Sequence, residues 1–522
     1  MSDRWQHIPE APPPPEPGDR IGDLTVDDLF APPPQAQVSL DEKVRQAYFW
    51  LVNSAVVLPY HDIEFSTAEP VTFSVGDSGA VLTLPTDQSY ASGVLVPLLA
   101  FAVGGRCLLV GGPGRGKTTV ATVLAVMAGS TPAQVRRDIQ QGQPQLSISD
   151  LVGMPLPKDL LGAERLADVR IAWREWLTAP VKIVDEVNRI PTKTQSALLT
   201  MVADGYVESH DQLLTTAPTD GVESWFFTAN DDAGGGTFAL IQALRDRMDV
   251  TVTAMGYNPR FLDELIARVE RGERPEEHVP SELVFGPAER AAVAAGIRAV
   301  PVPPEVVSEL SSFAAHFEFA QHGGRTFEHR TKDVITTGGG RVGEVIDLNT
   351  GADVQADLGA ETASAPSPRA LQALILYAKA MAWFRGRPAV GSDDVAAVLP
   401  FVLRGKVAPN LHHPAFDGAD GAELRTDTGA WLSTLWERAR RERLARDEDP
   451  VGALLAQLRA GLAGVSRAEV SARLTAVESR IAQIADTGKL YGATYTDLLT
   501  LKHVHQRYRN YLTWLDATGG GR

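Results

Sequence analysis

The stretch that most limits what this chain can fold into is Gly111-Gly112-Pro113-Gly114-Arg115-Gly116-Lys117-Thr118-Thr119. An apolar run ends at Val110 just before it, and "VATVLAVMA" follows. The spacing Gly111-x-x-x-x-Gly116-Lys117-Thr118 is that of a phosphate-binding loop. Its glycines let successive backbone N–H groups turn inward on phosphate oxygens. The helix that follows adds its positive end. Lys117 brings a point charge to the β- and γ-phosphates, and the Thr118 hydroxyl can ligate Mg²⁺. Such a loop needs a buried strand before it and a helix after it, expected at Leu108–Val110 and Thr118–Ala128.

Binding a nucleotide does not imply cleaving it, so the question passes to acids further on. "VKIVDEVNR" ends an apolar strand in Asp185 and Glu186. Asp185 can hold the Mg²⁺ shell beside the loop, and a carboxylate at Glu186 can activate a water. "SWFFTAN" reads as another apolar strand closing on Asn230, whose amide could hold that water against the γ-phosphate. In "ALRDRMDV", Arg245 and Arg247 are candidates for a charge reaching a neighbouring subunit's phosphoryl group. Their plainer reading is a surface cluster with Asp246 and Asp249. Ser367-Pro368-Arg369 opens a helix, with proline in a starting position, and Arg369 could reach the γ-phosphate.

Strands alternating with helices around the loop predict an α/β parallel sheet flanked by helices. After about residue 256 the pattern turns helical, at 258–271, 287–297, 303–318, 367–386 and 392–404. The expected organisation is therefore a proline-rich arm over 1–40 and an extension over 41–89. A nucleotide-binding domain over 90–255 follows, then a helical lid over 256–410 and a helical hairpin region over 411–522. The arm holds nine prolines and little apolar surface to bury. "VTFSVGDSGAVLTL" in the extension reads as a β-hairpin. The glycine-rich 320–362 reads as an insertion in the lid. In the tail, Ser466 and Glu469 suggest a capping box. Apolar seams from Val470 to Ile484 and from Leu501 to Leu515 suggest two helices packed on each other.

Bulk properties narrow the function. A net charge of −16 over 522 residues argues against broad nucleic-acid or anionic-membrane binding. The single cysteine, Cys107, excludes an internal disulfide framework and a multi-cysteine zinc site. It opens the apolar run before the loop and reads as a buried strand residue. No signal segment or membrane span is evident, which gives a cytoplasmic expectation. His412 and His413 with Asp417, Asp420 and Glu423 match no metal-ligand spacing. "ERARRERLARDEDP" (437–450) reads as a solvated helix.

Together these segments resemble the AAA+ ATPases, and within them the MoxR family. "DEVNRIPTKTQSALLTMVADGYV" (185–207) is the most specific likeness. "SPRALQALILYAKAMAWFRGRPAVGSDDVAAVLPFVLRGKV" (367–407) resembles the family's lid, and 146–162 sits where its helix-2 insert falls. The resemblance implies an ATP- and Mg²⁺-dependent hydrolase. Gly111–Thr119 would be the phosphate loop, Asp185 and Glu186 the metal and water carboxylates, and Asn230 the sensor. Arg247 would be the arginine finger, with Arg245 the runner-up, and Arg369 the lid sensor. It further implies a homo-oligomer, generally a hexameric ring, that acts on a protein client beside a von Willebrand factor A domain protein. The chain departs from the family in its proline arm, the missing glycine-proline before the acidic strand, the 320–362 insertion and the helical tail. The other classes open to such a chain are a nucleic-acid-directed motor, a metal-chelatase motor subunit and a nucleotide-gated scaffold.

Overall fold

Five short segments pair as a parallel sheet: Arg106–Val110 (β1), Gln140–Gln141 (β2), Val181–Asp185 (β3), Ser224–Ala229 (β4) and Val250–Thr253 (β5). Their order across the sheet is β5-β1-β4-β3-β2. The computed structural model describes residues 38–56, 60–160, 169–218, 222–230, 238–254, 258–272, 274–323, 326–331, 358–445, 449–486 and 492–518. The arm of 1–40 therefore lies, but for its last three residues, outside the described residues. So does 332–357 of the 320–362 insertion.

The strands are apolar almost throughout because helices cover both faces of a parallel sheet. Alternation divides their side chains between two cores. Cys107, Leu109, Val181, Ile183, Phe226, Val250 and Val252 pack with Ser92–Val103, with the loop helix Lys117–Met127 (α1) and with the lid. Leu108, Val184, Trp225, Phe227 and Ala229 pack with Leu198, Met201 and Val202 of Thr192–Asp204 (α2). Gln140 and Gln141 of the edge strand and the threonines of β4 and β5 interrupt the apolar pattern, and one charge is buried within it. Lys182, 1 % exposed in β3, donates to the carbonyls of Ala179 (3.0 Å) and Thr216 (3.1 Å) and pairs with Glu223 at 3.2 Å. Burial holds its pKa below the ordinary lysine value.

The loop helix starts at Lys117, one residue before the sequence expectation. The expected hairpin forms from Val71–Val75 and Ala80–Leu84, with Gly76 and Gly79 at φ of 54° and 73° in its turn. Register puts Val71, Phe73, Leu82 and Leu84 on one face, all of them exposed. The lid helices run over Pro287–Ala299, Pro304–Ala315, Pro368–Phe384 (α4) and Ser392–Leu403. Glu318–Gly323 pairs with Thr326–Thr331 at the start of the insertion.

Thr428–Leu444 contains much of the stretch read as solvated, but it is amphipathic. Its Trp431, Leu432, Leu435, Trp436 and Ala439 enter the lid core. Its arginines face other elements: Arg440 pairs with Glu309 at 3.3 Å, and Arg438 pairs with Glu361. Charge balance alone does not reveal such pairing across elements. The helices Arg467–Ala485 and Gly492–Thr518 share a separate core built on Val470, Leu474, Val477, Leu501, Val504 and Tyr508. Only half of the capping box forms. Ser466 accepts the Glu469 N–H at 3.3 Å, while the Glu469 carboxylate pairs with Arg473 at 2.6 Å.

The extension is bolted to the lid. Arg385, its side chain 4 % exposed, lies 3.5 Å over the Phe65 ring. It also pairs with Asp393 at 2.7 Å and with the fully buried Asp394 at 2.6 Å. Tyr48, Tyr90 and Phe384 meet edge to face beside it. Removing one partner of a buried ion pair strands the other charge. Arg385→Ala is therefore expected to cost about 3 kcal/mol. Arg387→Ala should cost less than about 1 kcal/mol, because its half-exposed side chain is screened by water. Chemical denaturation of the two variants beside the parent checks the contrast.

Candidate active site

The loop between β1 and α1 has the backbone its glycines allow. Gly111, Gly114 and Gly116 sit at φ of 147°, 72° and 73°, conformations that side chains disfavour. A Cβ on Gly111 would meet Ala254 at 3.1 Å. Gly116 starts the helix with no side-chain cap, so no cap takes up the first-turn amides. Pro113, Gly114 and Arg115 are exposed at the rim, and Arg115 donates to the Ala254 carbonyl at 3.2 Å. Gly112 and Thr119 are half-buried on either side.

Lys117 folds back under this loop. Its ammonium donates to the carbonyls of Gly111 (2.5 Å) and Gly112 (2.7 Å) and to Asn230 Oδ1 (3.0 Å). Those are the donors that a polyphosphate would take over. Asn230 arrives because β4 lies beside β1, with Ala229 opposite Val110. Asp185 and Glu186 arrive because β3 lies beside β4, with Phe227 opposite Val184.

The acidic pair is held from several sides. Thr118 Oγ1 donates to Asp185 Oδ1 at 2.8 Å. The Thr228 hydroxyl donates to the same oxygen and accepts the Glu186 N–H at 2.9 Å. Glu186 itself sits at φ 52°, ψ 48°, a left-handed conformation rare outside glycine. Its Oε1 accepts from Asn230 Nδ2 at 2.8 Å and its Oε2 pairs with Arg189 at 3.2 Å. Asn188 donates to the Asn230 carbonyl at 3.1 Å. Lys117, Thr118, Asp185, Glu186 and Asn230 thus form one hydrogen-bonded network.

Arg245, Arg247 and Arg369 lie outside that network. Arg245 is exposed, while Arg247 is half-buried and donates to Ala243 O at 3.1 Å on its own helix, Gln242–Arg247 (α3). The plainer reading paired these arginines with Asp246 and Asp249, but both acids are engaged elsewhere. Asp246 pairs with Arg369 at 2.8 Å. Asp249 accepts the Arg106 N–H at 2.8 Å, and burial raises its pKa.

Three positions escaped the sequence reading. Thr228 is a hydroxyl in an otherwise apolar strand interior, and that was its signal. Gly142 lies so close that a Cβ there would meet the Glu186 carbonyl at 2.1 Å. Gln195, within the specific 185–207 run, is fully buried. It donates to Ile190 O at 2.9 Å and accepts the Ile241 N–H at 3.0 Å, which links α2 to the start of α3. Elsewhere, Cys107 is buried in β1 and burial pushes its thiol up. His413 accepts the Ala415 N–H. Among the described residues no group of three or more His, Cys, Asp or Glu could hold a metal, and no helix is long and apolar enough to cross a membrane.

Comparisons with known proteins bear on this geometry. Residues 106–250 match the family model "ATPase family associated with various cellular activities (AAA)", and 359–427 match an "AAA lid domain". Chaperone MoxR1 of Mycobacterium tuberculosis is 27% identical over 300 residues, 58% of this chain and 67% of that protein. A solved Cytophaga hutchinsonii structure described as an ATPase is 21% identical, with a TM-score of 0.45. It covers 65% of this chain and 88% of its own.

The double role of Thr228 makes it the cleanest probe of the network. Thr228→Val, close in shape, should lower ATP turnover about tenfold or more, since small misplacements of reacting groups cost that much. Binding of a fluorescent ATP analogue should stay within about twofold, because the loop is untouched. Turnover equal to the parent's would remove Thr228 from the site.

Proposed function

Because this chain belongs to the MoxR family of AAA+ ATPases, we propose that it hydrolyses Mg²⁺-ATP at the interfaces of a homo-oligomeric ring and uses the turnover to remodel a protein partner. The observation that carries this reading is the hydrogen-bonded line from Lys117 through Asn230 to Glu186, beside the Thr118–Asp185 pair.

Each residue has a step in that reading. The first-turn amides of α1 and the loop amides hold phosphate oxygens. Lys117 leaves the loop carbonyls for the β- and γ-phosphates. Thr118 and Asp185 offer a hydroxyl and a carboxylate, hard oxygen ligands suited to Mg²⁺. The metal would neutralise charge on the phosphates. Glu186 accepts the proton of the attacking water while Asn230 orients it, and the water oxygen displaces ADP from the γ-phosphorus. Arg247 of a neighbouring copy stabilises the charge on the transferred group, and Arg369 reports the nucleotide to the lid. A hexamer, a von Willebrand factor A domain partner and a maturation or chaperone role follow from the family likeness. The net charge of −16 weighs against a nucleic-acid track.

Two experiments test the chemistry. Glu186→Gln should bind ATP like the parent and hydrolyse it at least about 100-fold more slowly, the usual scale for losing a general base. Unchanged turnover refutes that role. Mixing Arg247→Ala with Lys117→Ala protomers should recover activity that neither has alone, because one interface type keeps both groups. Rings shown to mix without recovery would place Arg247 outside the site.

A further inference from the structure

Asp246 stands between the two candidate finger arginines on α3, yet its carboxylate points to the lid. Ser367 Oγ donates to its Oδ1 at 2.8 Å, and Arg369 donates to its Oδ2 at 2.8 Å. The Ser367 hydroxyl also accepts the Ala370 N–H at 3.2 Å and so caps the lid helix α4. The carboxylate therefore sits at the positive end of a 17-residue helix, where a negative charge is favoured. A second tie runs alongside. Lys406, after the last lid helix, donates its ammonium to the Asp249 carbonyl at 2.9 Å, and burial lowers its pKa to about 8.

Arg247 is in turn set by its own helix. Its Nη1 donates to Ala243 O, and its buried Nε has no hydrogen-bond partner among the described residues. Where α3 goes, the Arg247 guanidinium goes. We propose that Asp246 is a positioning residue that ties the arginine-finger helix to the first turn of the lid, so that the lid's angle sets where Arg247 stands. The inference rests on the hydrolase reading above. It adds a route from the nucleotide-sensing lid to the finger that serves the neighbouring copy. A lid that turns pulls on Ser367 and Arg369, these pull on Asp246, and α3 follows.

The test is a double-mutant cycle on the full chain, read as kcat and KM for ATP and as affinity for a fluorescent ATP analogue. Asp246→Ala should lower kcat about tenfold while KM and affinity stay within about twofold. In an Arg247→Ala background, measured by single turnover, the same change should have almost no further effect, since the group it positions is gone. A merely structural role would lower both backgrounds by the same factor, and that result overturns the inference. So does an unchanged kcat for Asp246→Ala. If Asp246→Ala does not assemble, Asp246→Asn replaces it in the cycle. Asn keeps one acceptor oxygen, enough for Ser367 or Arg369 but not both, and loses the charge. About a threefold fall, absent in the Arg247→Ala background, is then expected. Glu186→Gln separates the two levels. If it abolishes turnover while the cycle is additive, only the role of Asp246 fails. If it leaves turnover intact, the hydrolase reading fails and this inference with it.

Discussion

The register of three neighbouring parallel strands is the constraint from which the site follows. With Ala229 opposite Val110 and Phe227 opposite Val184, β1, β4 and β3 end at one level. The phosphate loop, the amide of Asn230 and the acids at 185 and 186 therefore meet, although the chain places them far apart. A slip of one residue would flip every side chain to the other face. Trp225 and Phe227 would then leave one core and Phe226 the other. Apolar burial on both faces is what makes such a slip costly. The polar network at the strand ends depends on it rather than creating it.

Around this sheet, buried cations join elements that hydrophobic packing alone would leave to slide. Lys182 ties β3 to Thr216, the residue after Gln212–Thr215. Arg290, on the lid helix Pro287–Ala299, donates to Ser224 at the start of β4, and burial brings its pKa to about 10. Arg385 ties the lid to the extension. A buried charge is costly unless it is satisfied, so each of these side chains accepts a narrow range of geometries. They make poor stabilisers and good registers.

What was legible in the sequence was local. The glycine spacing from Gly111 to Gly116, the apolar runs ending at Asp185 and Asn230, and the turn between Val75 and Ala80 each carry their meaning within a few residues. What was not legible is pairing at long range. Asp246 was read against its neighbours Arg245 and Arg247, but it meets Arg369, 123 positions away. The 437–450 stretch balances its charges in sequence, yet Arg438 and Arg440 find their partners at Glu361 and Glu309. Thr228 stands out locally only as a hydroxyl in an apolar strand, and nothing local says which oxygen it will meet.

The lid touches the rest of the molecule through polar ties of different strength, and that difference bears on motion. Toward the extension, Arg385, held within the lid by Asp394, lies buried over the Phe65 ring and donates to Gln88 at 3.1 Å. Breaking that contact would expose charge and apolar surface together. Toward the sheet's edge, Arg369 and Asp246 are 49 % and 29 % exposed, so water can replace their hydrogen bonds at small cost. Under load the wetter Arg369–Asp246 tie would yield first, while the shared apolar core and the buried Arg290–Ser224 tie keep the lid on the sheet. α3 would then feel a turn of α4 through a contact weak enough to yield and directional enough to transmit it.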